Sequence, residues 1–145
     1  MVQHTHWITV IGRQRNGNSD DEQQFTAPCS YAVRGNDIYL SYTETDAQNH
    51  ATRVTVKLSD KEVVMVRSCG DARTRMVFVP SQKNDCAYDT GSGILPLMIH
   101  THAIELQITD LGGQARLAYT LYYGGAPLSE NEVILRLRKT EATGL

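Results

Sequence analysis

The sequence predicts an all-β fold, a single antiparallel meander β-barrel of about eight to ten strands. Apolar residues recur at every second position through most of the chain, which is typical of half-buried strands. Clusters of Gly, Asn, Asp and Ser separate these runs about every 8–15 residues, and no run has the spacing of an amphipathic helix. The expected meander favours a barrel over a sandwich, because closure removes open sheet edges.

Length and composition exclude several classes of protein. The chain has 145 residues, and we expect one domain, 1–145. Its 14 Lys and Arg against 16 Asp and Glu give a net charge of −2, which argues against a nucleic-acid partner. No apolar run has the length of a membrane span, so we expect no membrane partner. The first residues do not resemble a signal peptide. The chain has three cysteines, an odd number, and none of them has CxxC spacing, which indicates reduced thiols in a cytoplasmic protein.

In the first part of the chain, alternation predicts strands at 5–13, 22–34 and 37–45. Residues 16–21 are all turn formers, which predicts a loop. Pro28 cannot donate to a sheet ladder, so it marks an edge or a bulge. Gly35-Asn36 predicts a tight hairpin because both residues tolerate a positive φ.

Further strands are expected at 52–58, 62–68, 73–80, 85–90, 94–109 and 114–123, followed by a last strand through Leu137. The run 94–109 changes phase, since Leu97 and Ile99 are odd whereas Ile104 and Leu106 are even. A slip of one residue turns every later side chain to the other face, so we predict a β-bulge within 99–104.

Charged residues occur at inward positions of two predicted strands. Glu44 follows Leu40 and Tyr42 in phase, and Arg67 follows Met65. A buried charge without a partner costs several kcal/mol, so two opposite charges should pair. Three interpretations stay open: a structural ion pair, a ligand site in which Arg67 faces an anionic head group, or side chains that reach solvent at the barrel mouth.

Several short motifs occur in a fixed order along the chain: Tyr42-Thr43-Glu44, Arg67-Ser68-Cys69-Gly70, Met76-Val77-Phe78, Tyr88-Asp89-Thr90-Gly91-Ser92-Gly93, Thr101, Leu111-Gly112-Gly113 and Tyr119-Thr120-Leu121. Together, over about residues 8 to 137, they resemble the YwiB-like family, bacterial proteins of unknown function. The resemblance implies a lipocalin-like (calycin-type) barrel and no particular activity. Two residues separate Arg67 from Gly70, where the family has a shorter Arg-x-Gly motif, and Gly91-Ser92 replaces the segment usual before the glycine.

Two histidine pairs raise the question of a metal site. His4 with His6, and His100 with His102, each lie at i and i+2, so each pair projects to one strand face. Zinc needs three or four ligands, and neither pair has a third. Thr101 has the inward phase, which places His100 and His102 outside. We therefore expect surface histidines and no metal or cofactor.

Few features of the sequence indicate catalysis. Whether the protein is an enzyme stays uncertain, and we favour a protein that is not an enzyme. Cys69 and Cys86 are candidate thiolates, but neither has a histidine beside it in sequence. Asp89 with Tyr88 and Glu44 could form an acid–base site, although carboxylates are common near turns. We therefore predict no catalytic residue.

The favoured hypothesis is a barrel that binds a small, partly apolar ligand, with an anionic head group as one option. Its polar contacts would come from six inward candidates: Tyr42, Glu44, Arg67, Tyr88, Thr101 and Tyr119. The alternative is a filled barrel that acts through its outer surface as an interaction or assembly module, as a homodimer through an uncovered strand. An unrecognised enzyme is the third reading.

Overall fold

Residues 5–140 are described by a computed structural model, and they form a ten-stranded antiparallel sheet. The predicted all-β class is confirmed. The strands are β1 (His6–Asn16), β2 (Ser19–Arg34), β3 (Asp37–Thr45), β4 (Ala51–Leu58), β5 (Val63–Cys69), β6 (Ala72–Phe78), β7 (Lys83–Asp89), β8 (Ile94–Thr109), β9 (Gly112–Tyr123) and β10 (Ala126–Lys139).

The sheet curls into a nearly closed barrel, as the meander pattern predicts. Its strand order is β6-β5-β4-β3-β2-β1-β10-β9-β8-β7, so β1 and β10 are paired. The seam lies between β6 and β7, where isolated contacts replace a regular ladder. The Asp89 amide donates to Thr74 Oγ1 at 3.0 Å, and the Cys86 thiol lies 3.7 Å from the Arg75 carbonyl. The lipocalin-like description of the barrel remains a prediction.

Antiparallel pairing throughout gives the barrel two distinct ends. The turn after each odd-numbered strand lies at one end, here called the upper end, and His6 and Lys139, the first residue of β1 and the last of β10, lie at the lower end. The lower half is filled by apolar side chains from nearly every strand. Its buried members include Ile8, Val56, Leu58, Val63, Phe78, Leu117 and Leu135. Within residues 5–140 there is no helix that could cross a membrane.

The loop predicted over residues 16–21 is wrong. β1 continues to Asn16 and β2 begins at Ser19, so only Gly17 and Asn18 form the turn. The extension is polar and is supported by cross-strand ion pairs. Arg13 Nε contacts Glu22 Oε1 at 2.8 Å, and the corresponding contact of Arg15 with Asp20 is 3.1 Å. Asn, Ser and Asp favour turns when each is considered alone, but on facing strands they form cross-strand pairs that extend a hairpin.

Three local predictions are confirmed. The hairpin turn at Gly35-Asn36 joins β2 to β3. Pro28 pairs with Trp7 of β1, and pairing with β3 begins only at Ser30, so Pro28 lies where β2 is an edge toward β3. The register of β8 against β9 shifts between Thr101 and Ala103, inside the range expected for the bulge.

A row of alternating charges crosses the outer face of five strands. Arg116 contacts Glu105 at 3.5 Å and Glu132 at 2.5 Å, and Arg13 contacts Glu132 and Glu22 at 2.8 Å each. The hydrogen bond from Arg116 is the largest cause that lowers the pKa of Glu132. The Arg116–Glu132 pair is half-buried, whereas Arg13 and Glu22 are exposed, and an exposed pair contributes little singly. Together the row fixes the register of the strands.

We expect Gly113→Ala to destabilise the protein by at least about 2 kcal/mol, because it combines backbone strain with a clash. Gly113 has φ +131°, and a Cβ atom there would collide with the Gln107 carbonyl oxygen. Gly12→Ala is the control, since a Cβ at Gly12 meets no atom within 4 Å. Urea unfolding of both variants tests this; equal midpoints would contradict the assigned conformation of the β8–β9 turn.

Candidate functional site

Along the strands, the inward-facing side chains change from apolar to polar toward the upper end of the barrel. On β3 the inward series is Leu40, Tyr42 and Glu44, of which the first two are buried. On β5, Arg67 continues the inward series after buried Met65. Tyr88 on β7 lies opposite Leu95, and Thr101 on β8 lies opposite Tyr119. We call the six predicted residues the polar cluster: Tyr42, Glu44, Arg67, Tyr88, Thr101 and Tyr119.

The centre of the polar cluster is an ion pair between Arg67 and Glu44. Arg67 lies opposite Val54 of β4, and Glu44 lies opposite Thr52 of the same strand. The guanidinium therefore reaches across β4, where Nη2 donates a hydrogen bond to Glu44 Oε2. The two side chains are 31 % and 23 % exposed, so the pair is half-buried. Burial acts to lower the pKa of Arg67, but Glu44 outweighs it and the pKa is raised.

Two buried tyrosines flank this pair. Burial is the main cause that raises the pKa of Tyr42, and it raises that of Tyr119 to about 12. The charge of Arg67 acts on both phenols in the opposite direction. Both hydroxyls are therefore neutral near pH 7 and can donate or accept a hydrogen bond. Their rings are held by neighbours, since Tyr119 packs on Phe78 and Tyr42 on Phe25 at centroid distances of 4.9 and 6.0 Å.

Deeper in the barrel, two buried oxygen atoms have no hydrogen-bond partner in the described chain. They are Oγ1 of Thr101, a residue that is completely buried, and Oδ1 of Asn84. Asn84 of β7 lies opposite Ile99 of β8 on the inward face. Ile99 is two positions before Thr101 on the same strand, so both oxygens belong to the same wall of the interior. Buried polar groups in proteins almost always have a partner, so these two atoms mark a place suited to a polar guest.

Tyr119 borders a cavity of about 560 Å³ that is otherwise lined largely by the outer charge row, including Arg13, Glu22 and Glu132. Two smaller cavities border the polar cluster at the upper end. The larger of these two, about 370 Å³, borders Arg67 and Tyr88; its other lining residues are Thr52, Cys69, Ala72, Thr74, Asp89, Thr90 and Gly91. The smaller, about 170 Å³, borders Tyr119 and residues of the β1–β2 hairpin and β10. The volume of about 370 Å³ falls within the usual range for small-molecule sites, about 300–1,000 Å³.

Exposed apolar side chains border one side of the upper end. Tyr123 lies opposite Leu97, and Leu95 lies opposite Tyr88, so both share the inward phase. With Ile94 and Leu128 they form what we call the apolar rim, whose members are between 41 % and 65 % exposed. The sequence carried a signal for the rim, because Leu95 continues the alternation of Leu97 and Ile99, but nothing in it located the barrel end.

The histidines do not form a metal site in the part of the chain that the structure describes, where no three His, Cys, Asp or Glu residues could hold an ion together. His100 and His102 lie outside, as the phase of Thr101 predicts, and His102 Nε2 is 2.6 Å from Thr120 Oγ1. The expectation of a surface position is wrong for His6, which is 1 % exposed, with Nε2 2.7 Å from the Asp110 carbonyl. His4 lies outside the described residues.

Two of the candidate catalytic groups, Asp89 and Cys86, are engaged by the backbone or buried. Both carboxylate oxygens of Asp89 accept backbone hydrogen bonds, from Gly91 at 2.9 Å and from Arg73 at 3.3 Å, so this side chain organises the β7–β8 turn. All three cysteines are free, and burial raises the pKa of the Cys86 thiol. A raised pKa disfavours the nucleophilic thiolate. Cys69 is exposed and borders the cavity of about 370 Å³.

Comparison with known proteins supports the same family as the motifs. Residues 8–135 match a family described as a domain of unknown function, DUF1934. The fold is similar to the crystal structure of the ywiB protein from Bacillus subtilis, with a TM-score of 0.83 and 22 % sequence identity, over 94 % of this chain and 92 % of that one. The comparison with curated proteins gave no match.

We expect Thr101→Val to stabilise the protein by about 1 kcal/mol or more, since it removes a buried hydroxyl without a partner. Thr120→Val is the matched control: Thr120 is also buried but is 2.6 Å from His102 Nε2, so its loss should destabilise by about 1 kcal/mol. Thermal and urea unfolding measure both. Destabilisation by Thr101→Val would mean that the hydroxyl has a bound partner in solution.

The Arg67–Glu44 pair should show a coupling free energy of about 1 kcal/mol or more in a double-mutant cycle with Arg67→Met and Glu44→Gln. Its half-burial limits the screening by water that weakens exposed pairs. The same cycle on Arg15 and Asp20, which are 65 % and 70 % exposed, should give less than about 0.5 kcal/mol. Equal coupling in both cycles would mean that solvent screens the inward pair fully.

Proposed function

The chain belongs to the DUF1934 family of domains of unknown function, and we propose that it binds a small, partly apolar molecule in the upper half of the barrel. The observation that carries this proposal is the cavity of about 370 Å³ that Arg67, the half-buried partner of Glu44, lines together with Tyr88. A mostly apolar interior with a few convergent polar groups is the usual construction of a ligand pocket.

The chemistry of the polar cluster supports a ligand with both polar and apolar parts. Arg67 offers donors, Glu44 offers acceptors, and the phenols of Tyr42, Tyr88 and Tyr119 offer both. The unpartnered Thr101 Oγ1 supplies a further contact deeper in the barrel. Apolar groups of the ligand would lie against the apolar rim, which would otherwise face water.

A filled barrel that acts through its surface is the second candidate. The apolar filling of the lower half favours it, as does the upper part of β2, whose edge toward β3 is unpaired before Ser30. That edge carries Asp20, Asp21 and Glu22, and charges of one sign oppose edge-to-edge pairing of two copies. For this reason we favour the ligand over the homodimer.

Location in the cytoplasm and the absence of a catalytic role are parts of the same proposal. The free state of Cys29, Cys69 and Cys86 supports a reducing compartment. The engagement of Asp89 by backbone amides supports binding without catalysis.

Native mass spectrometry of freshly purified protein, compared with the same sample denatured, tests the proposed function. We expect a discrete additional mass that disappears on denaturation and is reduced in Arg67→Met. Glu22→Gln, which removes a charge on the outer face, should retain the additional mass. A protein that carries no added mass, even after incubation with cell extract metabolites, would overturn ligand binding in favour of the surface module, and the same spectrum would give the oligomeric state.

A further inference from the structure

We propose that the ligand carries a zwitterionic head, an ammonium and a carboxylate on neighbouring atoms, and an apolar side chain, as in an apolar amino acid. This inference rests on the proposed function and specifies its ligand class. It follows from how Arg67 and Glu44 are paired, from their exposure, and from the apolar rim beside them.

The ion pair uses only part of the hydrogen-bonding capacity of its members. Nη2 of Arg67 and Oε2 of Glu44 form the one hydrogen bond between them. Within residues 5–140, Glu44 Oε1 accepts no hydrogen bond, and Nε and Nη1 of Arg67 donate none to a protein group. A guanidinium has five N–H donors and a carboxylate about four acceptor sites, so a donor edge and an acceptor edge remain side by side.

A ligand with one charge fits such a pair poorly. A carboxylate near Arg67 is attracted by the guanidinium but repelled by Glu44, and an ammonium meets the reverse situation. A zwitterion can place its carboxylate on Arg67 and its ammonium on Glu44, so four alternating charges form a closed ring. Because both side chains are less than one-third exposed, water weakens these attractions less than at an open surface.

The surroundings set the size and character of the remaining part of the ligand. The cavity beside Arg67 measures about 370 Å³, which suits one amino acid rather than a long-chain lipid. Tyr88 lines this cavity and lies opposite Leu95 of the apolar rim. A side chain that extends from the ion pair past Tyr88 therefore meets the rim, and we expect an aromatic or branched aliphatic group there.

Isothermal titration of the wild-type protein with three matched compounds tests the charge requirement. The compounds are phenylalanine, 3-phenylpropionate without the ammonium, and phenethylamine without the carboxylate; leucine and its two analogues form a second set. In at least one set we expect the amino acid to bind about tenfold more tightly than either analogue. An analogue that binds as tightly as its amino acid would overturn the zwitterion, as would the absence of binding in both sets.

The variant Glu44→Gln assigns the ammonium contact. It keeps the size of the side chain and removes its charge. The preference for the amino acid over its carboxylate analogue should therefore fall to about threefold or less. The matched surface variant Glu22→Gln should retain the wild-type preference. Thermal melts establish that both variants are folded. An unchanged preference in Glu44→Gln would overturn the assignment.

The two proposals fail in different ways. A bound mass in native spectra that lacks an amine or a carboxyl group would overturn the zwitterion and sustain ligand binding. A protein without bound mass that also ignores all six compounds would overturn both proposals.

Discussion

The barrel depends on a single interior that all ten strands must face with the same alternate residues. A strand that changes phase would expose its apolar side chains along half its length. β8 is the point where the sequence breaks this rule, and the bulge between Thr101 and Ala103 restores it. With the bulge, Ile99 faces inward opposite Leu121, and Ile104 does so opposite Leu117. The same bulge places Thr101 as the last inward residue of its segment, so the correction of register and the deep end of the candidate site lie at one position.

Strong alternation made much of this fold predictable from the sequence. β3 and β8 have the predicted bounds, because β-branched, aromatic and leucine side chains mark the inward phase and Gly or Asn marks the turns. The upper part of the β1–β2 hairpin was not predictable in this way. Its inward positions include Gln14 and Gln23, so no apolar alternation marks it, and one of its supports is the contact of Arg13 with Glu132, 119 residues away in sequence. A pattern within one segment carries no information on such a partner.

The same distinction divides the candidate site. The inward positions of Glu44 and Arg67 followed from the phase of their own strands, and opposite charges in one interior are expected to meet. His6 also had the inward phase of Ile8 and Val10, but its place near the terminus suggested a surface residue; stacking on Tyr31 at 5.0 Å and the Asp110 carbonyl hold it inside. The cavities and the unpartnered oxygen of Asn84 depend on how strands from distant segments tilt and approach. These features are properties of the assembled barrel, and no local pattern encodes them.

The two halves of the barrel differ in a way that stable packing alone does not explain. The lower half is packed with apolar side chains, so this chain is able to fill a barrel of this size. At the upper end it instead keeps a half-buried ion pair, and deeper in the interior two buried oxygens have no partner within residues 5–140. Apolar residues of similar volume in place of such groups are often neutral or stabilising, so the polar arrangement is not explained by stability. Local departures from the rules of stable packing in natural proteins concentrate at functional sites. A guest that hydrogen-bonds to these groups would remove their energetic cost, and the free energy withheld from folding would then contribute to binding.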